Sequence, residues 1–256
     1  MKKKLSIHKI KTPIIWGSFI LLIATFSLHA QNEKPEDKFT FKEAPIAELG
    51  EPISLWATNY HVPEVLNGYG VTPIRDIDGV ELGPNITLEE WCKAALEGTV
   101  RIHYEDGRIK TFNYDGDNEL FPNDCSAFYT FNLGKSKFKL SKTPFGNGSG
   151  SFILRPYRTL ATDPTIIPTG TVLYIPEARG TKILLNNGET IIHDGYFFAG
   201  DVGGAVKLDH VDVFIGVHKD SPFFPWVTSA AVRKMFNAFI VKDPEIINEM
   251  TLFNRN

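Results

Sequence analysis

Tyr196-Phe197-Phe198-Ala199-Gly200-Asp201-Val202-Gly203-Gly204-Ala205-Val206-Lys207-Leu208-Asp209-His210-Val211-Asp212-Val213-Phe214-Ile215-Gly216 holds two short apolar runs, each carrying one acid, joined by a glycine-rich turn. Runs of this length and β-branched or aromatic content read as strands, not helices. Working outward, Thr171–Ile175, Lys182–Leu185 and Thr190–His193 are further short strands, the last two joined by a turn over Asn186-Asn187-Gly188. Upstream, Thr99–Tyr104 and Arg108–Tyr114 flank Glu105-Asp106-Gly107, a hairpin signal. Phe128–Leu140 adds strand-like pieces, and the first strand is expected at Ile53–Tyr60. Many short strands between glycine turns predict a mainly β chain built on a small barrel. Residues 228–240 fit either an amphipathic helix or a closing strand. A short peripheral helix is expected after Thr87, whose hydroxyl and Glu90 make a capping box, with Gly98 ending it.

The start of the chain reads differently. Lys2, Lys3, Lys4, Lys9 and Lys11 precede an apolar run from Pro13 to Leu28, and Leu28-His29-Ala30 precedes a polar stretch. This is the pattern of an export signal over residues 1–30, with an uncleaved anchor as the alternative. Loss of that segment takes the formal charge from −3 to −8, a poor match for nucleic acid or an anionic membrane surface. The layout therefore predicts residues 1–30 as signal peptide, 31–52 as a flexible segment, 53–243 as one barrel domain and 244–256 as a tail. An exported chain permits a disulfide between Cys92 and Cys125, its two cysteines. They supply no four-ligand metal pattern, and the histidines do not form H-E-x-x-H, so no metal is expected.

Asp163, Asp201 and Asp212 draw notice by context. Asp163 precedes a proline and can be a turn cap, and Asp201 can be a turn residue. Asp212 lies between Val211 and Val213 inside an apolar strand, where an unpaired carboxylate is costly unless it alternates onto a solvent face. Two carboxyls folded together, one of them partly dry, can supply the acid and base that glycosidic cleavage requires. Acid–base glycan cleavage needs no cofactor, and none is expected. Gly203 and Gly204 would let backbone approach a substrate. Tyr60, Tyr157 and Trp226 are expected as exposed aromatics able to stack on sugar. Thr143–Ser151, rich in glycine, reads as a mobile loop.

Arg155-Pro156-Tyr157-Arg158-Thr159-Leu160-Ala161-Thr162-Asp163-Pro164, Gly200-Asp201-Val202-Gly203-Gly204-Ala205-Val206-Lys207 and His210-Val211-Asp212-Val213-Phe214 resemble, in order, the three blocks of the "3D" domain, named for its aspartates. That domain occurs in the membrane-bound lytic transglycosylase A family and in secreted stand-alone relatives. The resemblance spans residues 155–218, and Trp91–Val100 resembles the front half of the stand-alone proteins. It implies a double-psi β-barrel and non-hydrolytic cleavage of peptidoglycan between N-acetylmuramic acid and N-acetylglucosamine, leaving a 1,6-anhydro end. By position Asp212 would be the acid and then the base, Asp201 its partner, and Asp163 part of the cleft floor. Thr58, Tyr60, Gly203, Gly204 and Lys207 would lie beside the sugar. Where the family commonly continues Lys-Gly, this chain has Lys207-Leu208. A non-catalytic wall-binding module or a polysaccharide hydrolase are the rival readings. The expected partner is the peptidoglycan strand, in the periplasm or outside the cell.

Overall fold

The computed structural model describes residues 39–184, 189–217 and 224–255. The expected signal segment and the turn over 186–188 lie outside these. Among the described residues the chain is mainly β. It opens with β1 (Leu49–Tyr60) and leaves the barrel for β2 (Glu64–Leu66), β3 (Thr72–Arg75), β4 (Glu81–Ile86), α1 (Leu88–Glu97), β5 (Thr99–His103), β6 (Ile109–Asp117) and β7 (Ser136–Leu140). It returns as β8 (Thr159–Ala161), β9 (Val172–Tyr174), a β10 (Lys182–Leu184) and β11 (Thr190–Ile192) hairpin, β12 (Tyr196–Asp201), β13 (His210–Phe214), β14 (Met235–Val241) and α2 (Pro244–Phe253).

β1, β13, β8, β12, β9 and β14 close into a barrel in that order, with β1–β13 and β8–β12 parallel. β14 closes it by pairing antiparallel with both β1 and β9, so 235–241 is the strand alternative, not the helix. Alternation sets which side chains fill it. Phe197 and Ala199 of β12 join Leu55, Ala57, Leu160, Leu173, Val211, Val213 and Phe236 in the interior. Their neighbours Tyr196 and Phe198 pack outward with Phe152 and with Met250 of α2. β12 is thus covered on both faces, which is why its sequence is nearly continuous in apolar residues. Each such side chain contributes roughly 2 kcal/mol through burial.

The second sheet was not expected. Residues 53–243 do not form one barrel: β2, β5, β6 and β7 make a separate four-stranded sheet with its own core of Val65, Ile74, Trp91, Val100, Ile102, Phe112 and Phe138. Helix α1 lies on this sheet, not on the barrel, burying Trp91, Cys92, Ala94 and Ala95. Its capping box is formed by Thr87 and Glu90, and Gly98 ends it at φ 75°. The Cys92–Cys125 disulfide, with Cα atoms 5.6 Å apart, ties α1 to the segment before β7. Strand periodicity identifies strands but not the sheet each joins, so two adjacent sheets of short strands read as one.

The ends of the described chain are also held. Within 39–52, Phe39 and Ala44 are buried and β1 begins at Leu49, so this part is not a loose tether. Phe39 lies 4.3 Å from the Arg158 guanidinium, which makes a buried bidentate pair with Asp194 at 2.7 and 3.0 Å. Instead of a tail, residues 244–253 form α2, capped by Asp243 with Pro244 following.

Candidate active site

β1 and β13 run parallel with Trp56 opposite His210, Thr58 opposite Asp212 and Tyr60 opposite Phe214. Residues of the same parity share a face. Since Ala57, Val211 and Val213 point into the barrel, Trp56, Thr58, Tyr60, His210 and Asp212 lie on its outer face. Asp212 is therefore neither in the barrel core nor open to solvent. Its Oδ1 accepts the Thr58 hydroxyl proton at 2.9 Å. Two residues along the same strand, the Tyr60 hydroxyl donates to Asp201 Oδ2 at 2.7 Å. Successive same-face residues stand about 6.6 Å apart, so β1 presents the two carboxyls side by side.

Burial dominates the electrostatics. It pushes Asp212 up to about 7; the charges of Glu97 and Asp201 push the same way, and the Thr58 hydrogen bond opposes them. Asp201 is pushed up to about 6 by burial, against hydrogen bonds from Tyr60, Val202 N–H and Ser149 N–H. Tyr60 is held far above its ordinary value by burial and by Asp201. Asp212, which keeps its proton up to about pH 7, beside Asp201, which is ionised above about 6 and held by several donors, can give and take a proton near neutrality.

Glu97 is a third such carboxyl, and the sequence reading missed it. It is the last residue of α1, in the second sheet's half of the chain. Burial pushes it up to about 7, with His61 N–H donating to it at 3.3 Å and Lys93 opposing the shift. Its charge acts on both Tyr60 and Asp212. One signal was available: a carboxylate at a helix C-terminus stands against the helix dipole, and an acid placed there directly before Gly98 needs another reason.

Asp163 does not join the pair. Its oxygens accept from Thr165 N–H at 3.0 Å, the Thr165 hydroxyl at 2.7 Å and Leu208 N–H at 3.0 Å. These hydrogen bonds, that from Leu208 foremost, hold it down to about 2. A group so held is ionised near neutrality and carries no proton for catalysis; it ties the turn after β8 to the loop before β13. Leu208, at φ 57°, occupies the left-handed region that favours glycine. Of the remaining expected contacts, a Cβ on Gly203 would meet Val206 Cγ2 at 2.7 Å, so Gly203 is small for its own turn, whereas Gly204 faces open space and Lys207 is exposed. Trp226 and Tyr157 are fully buried, not exposed, because the Trp226 ring packs on Phe197, Phe224 and Phe236 inside the barrel and Tyr157 lies in the same core. Surface depressions of about 380 and 390 Å³ lie elsewhere and include none of the carboxyls.

The stretch 143–151 is the return connection from the second sheet, and it is fixed. Asn147 N–H donates to Asn113 Oδ1 at 2.8 Å, and the Thr143 hydroxyl to Gly146 O at 2.8 Å. Gly148 passes so close to β12 that a Cβ would lie 2.3 Å from Gly200 O and 3.1 Å from the Asp201 side chain. Gly148→Ala should therefore displace this connection and Asp201 together. A misplacement of about 1 Å costs on the order of 100-fold in rate. Turnover measured beside thermal melting checks it: activity should fall far more than stability.

With this geometry in place, known proteins can be set beside it: the family model of the 3D domain matches residues 158–222. No curated protein sequence matches the chain. Among solved structures, Escherichia coli MltA with bound chitohexaose is 19% identical at a TM-score of 0.52, over 74% of this chain and 72% of that one. A membrane-bound lytic murein transglycosylase from Agrobacterium tumefaciens is 14% identical at 0.51, over 78% of each. The fold of this chain is the fold of those proteins.

Proposed function

We propose that this protein is an exported lytic transglycosylase that cleaves peptidoglycan between N-acetylmuramic acid and N-acetylglucosamine. The observation that carries the reading is Asp212, on a 3D-domain strand, holding its proton near neutrality beside Asp201 and bonded to Thr58. Asp212 gives its proton to the bridging oxygen as the bond to muramic C1 breaks. It then takes the proton of the muramic C6 hydroxyl as that oxygen bonds to C1, closing the 1,6-anhydro ring. The acid is restored in one cycle and no water is consumed. Asp201, fixed by Tyr60, keeps negative charge beside the developing oxocarbenium and raises the proton affinity of Asp212. Thr58 and Tyr60 orient the two carboxyls. Two structural relatives, one described as a lytic murein transglycosylase and the other holding a chitohexaose, support this substrate class.

Export is supported by the basic and apolar start of the chain and by the Cys92–Cys125 disulfide, a bond that persists in oxidising compartments. Among the described residues no helix is long and apolar enough to cross a membrane.

The test is the chemistry of the ends. Purified peptidoglycan incubated with residues 31–256 should release muropeptides one water lighter than hydrolytic products, by mass spectrometry. Reducing ends alone would make the protein a hydrolase, and bound glycan without soluble product would make it a binding module.

A further inference from the structure

The ring of His210 is held from several sides. It stacks on Trp56, with centroids 3.8 Å apart and planes within 6°. Trp56 is itself anchored by its Nε1–H to Asp209 Oδ1 at 3.2 Å, and the Arg233 guanidinium lies 4.9 Å from its ring. The His210 backbone N–H donates to Lys207 O at 3.1 Å. So fixed, His210 Nε2 stands 2.8 Å from Thr58 Oγ1, the same oxygen that lies 2.9 Å from Asp212 Oδ1.

A hydroxyl has one proton and two acceptor positions. Thr58 can give that proton to Asp212 or to His210, not to both. Burial lowers the proton affinity of His210, so near neutrality the ring is uncharged and has a single N–H. Its other nitrogen, Nδ1, is 3.4 Å from Ala205 O, long for an N–H donor to oxygen. The short contact is the one to Thr58.

We infer that His210 is a positioning residue for Asp212: its Nε2–H donates to Thr58, which turns the Thr58 hydroxyl proton onto Asp212 Oδ1. This rests on reading Asp212 as the acid. With Oδ1 occupied by a donor, the acid proton of Asp212 sits on Oδ2. Without His210, a protonated Asp212 could point its proton at Thr58 from Oδ1, in an unproductive arrangement. Through the cycle only the Oδ2 proton moves, out to the bridging oxygen and back from the C6 hydroxyl. Thr58 and His210 keep theirs. No hydrogen bond to Asp212 Oδ2 exists among the described residues. The charged groups facing the chain are Arg233 and Asp209 at His210, and Glu97 and Asp201 at Asp212.

The test uses ¹⁵N shifts of the His210 ring above its titration, with ¹³C carboxyl titration of Asp212 in wild type, Thr58→Val, His210→Phe and the double variant. Phe keeps a ring against Trp56 and removes the donor. The expected results are an Nε2–H tautomer in wild type and an upward shift of the Asp212 midpoint, of about half a unit to one unit, that is the same in Thr58→Val and the double variant and smaller in His210→Phe. In peptidoglycan turnover, His210→Phe should lower kcat about tenfold with KM unchanged, the effect of one lost hydrogen bond. An Nδ1–H tautomer, or shifts that add in the double variant, would overturn the inference. If His210→Phe does not fold, the wild-type tautomer and the Thr58→Val titration still decide. Should the relay hold in these spectra while wild type yields no anhydro ends, it is the proposed function that fails.

Discussion

Asp212→Asn should lower release of anhydro-ended muropeptides by about 1,000-fold or more while raising the melting temperature above pH 7. Asn has the same shape and can accept the Thr58 hydroxyl, so the network of β1 and β13 survives. What it lacks is an exchangeable proton at a usable pKa. General acid–base catalysis contributes roughly 10²–10⁴-fold, and in the proposed mechanism a single group serves both half-reactions, so the loss belongs toward the upper end. The stability gain has a separate origin. A carboxyl pushed up to about 7 by burial is one whose ionised form the fold disfavours, and the neutral amide removes that penalty. Loss of activity with gain of stability separates a catalytic residue from a structural one. Asp163→Asn supplies the contrast, because three donors converge on that carboxylate. It should lower activity and melting temperature together. Turnover and melting on the two variants give the comparison, and an Asp212→Asn protein keeping a tenth of wild-type activity would remove Asp212 from the chemistry.

These two aspartates also show how far the sequence could be read. Strand alternation around Val211-Asp212-Val213 places Asp212 opposite in face to its valines, and Thr58 and Tyr60 share a parity on the first strand. The resemblance brought Asp201 beside them, and the structure does pair Tyr60 with Asp201 and Thr58 with Asp212. What alternation could not supply was the neighbour covering that face. Glu97 comes from α1, packed on a second sheet, and its contact with the barrel depends on how residues 61–145 fold back. That placement is a tertiary fact with no local pattern. The loop 143–151 was misjudged for a related reason: its glycines suggested freedom, whereas Gly148 is small because Gly200 and Asp201 lie against it. Asp163 was legible as a turn former, and the turn is what it serves.

Stability should fall, not rise, between pH 5 and pH 8, by about 3 kcal/mol or roughly 10 °C in melting temperature. Asp201, Asp212 and Glu97 all hold protons more tightly folded than unfolded, with values of about 6, 7 and 7 against ordinary values near 4. Between pH 4 and those values the folded state therefore binds more protons than the unfolded chain. Stability is fully present below the unfolded pKa and is lost as pH rises through the folded ones. The three groups share one field, so their contributions overlap and the total is less than the three taken separately. Asp163 works oppositely: held down to about 2, its contribution is present above pH 4 and is lost only as pH falls toward 2. The two trends leave maximum stability near pH 4–5. On the proposed mechanism the same titration limits turnover, because cleavage would start from protonated Asp212 and the rate should decline as pH passes about 7. Glu97→Gln ties the two together. It removes one titrating group and a negative charge acting on Asp212, so the melting curve should flatten and the alkaline limb of the rate should move to lower pH. Melting scans and turnover across pH 4–9, for wild type and Glu97→Gln, read both limbs. A wild type that gains stability steadily from pH 5 to 8 would mean that these carboxyls ionise freely on folding, and the site would then lack the protonated acid on which cleavage depends.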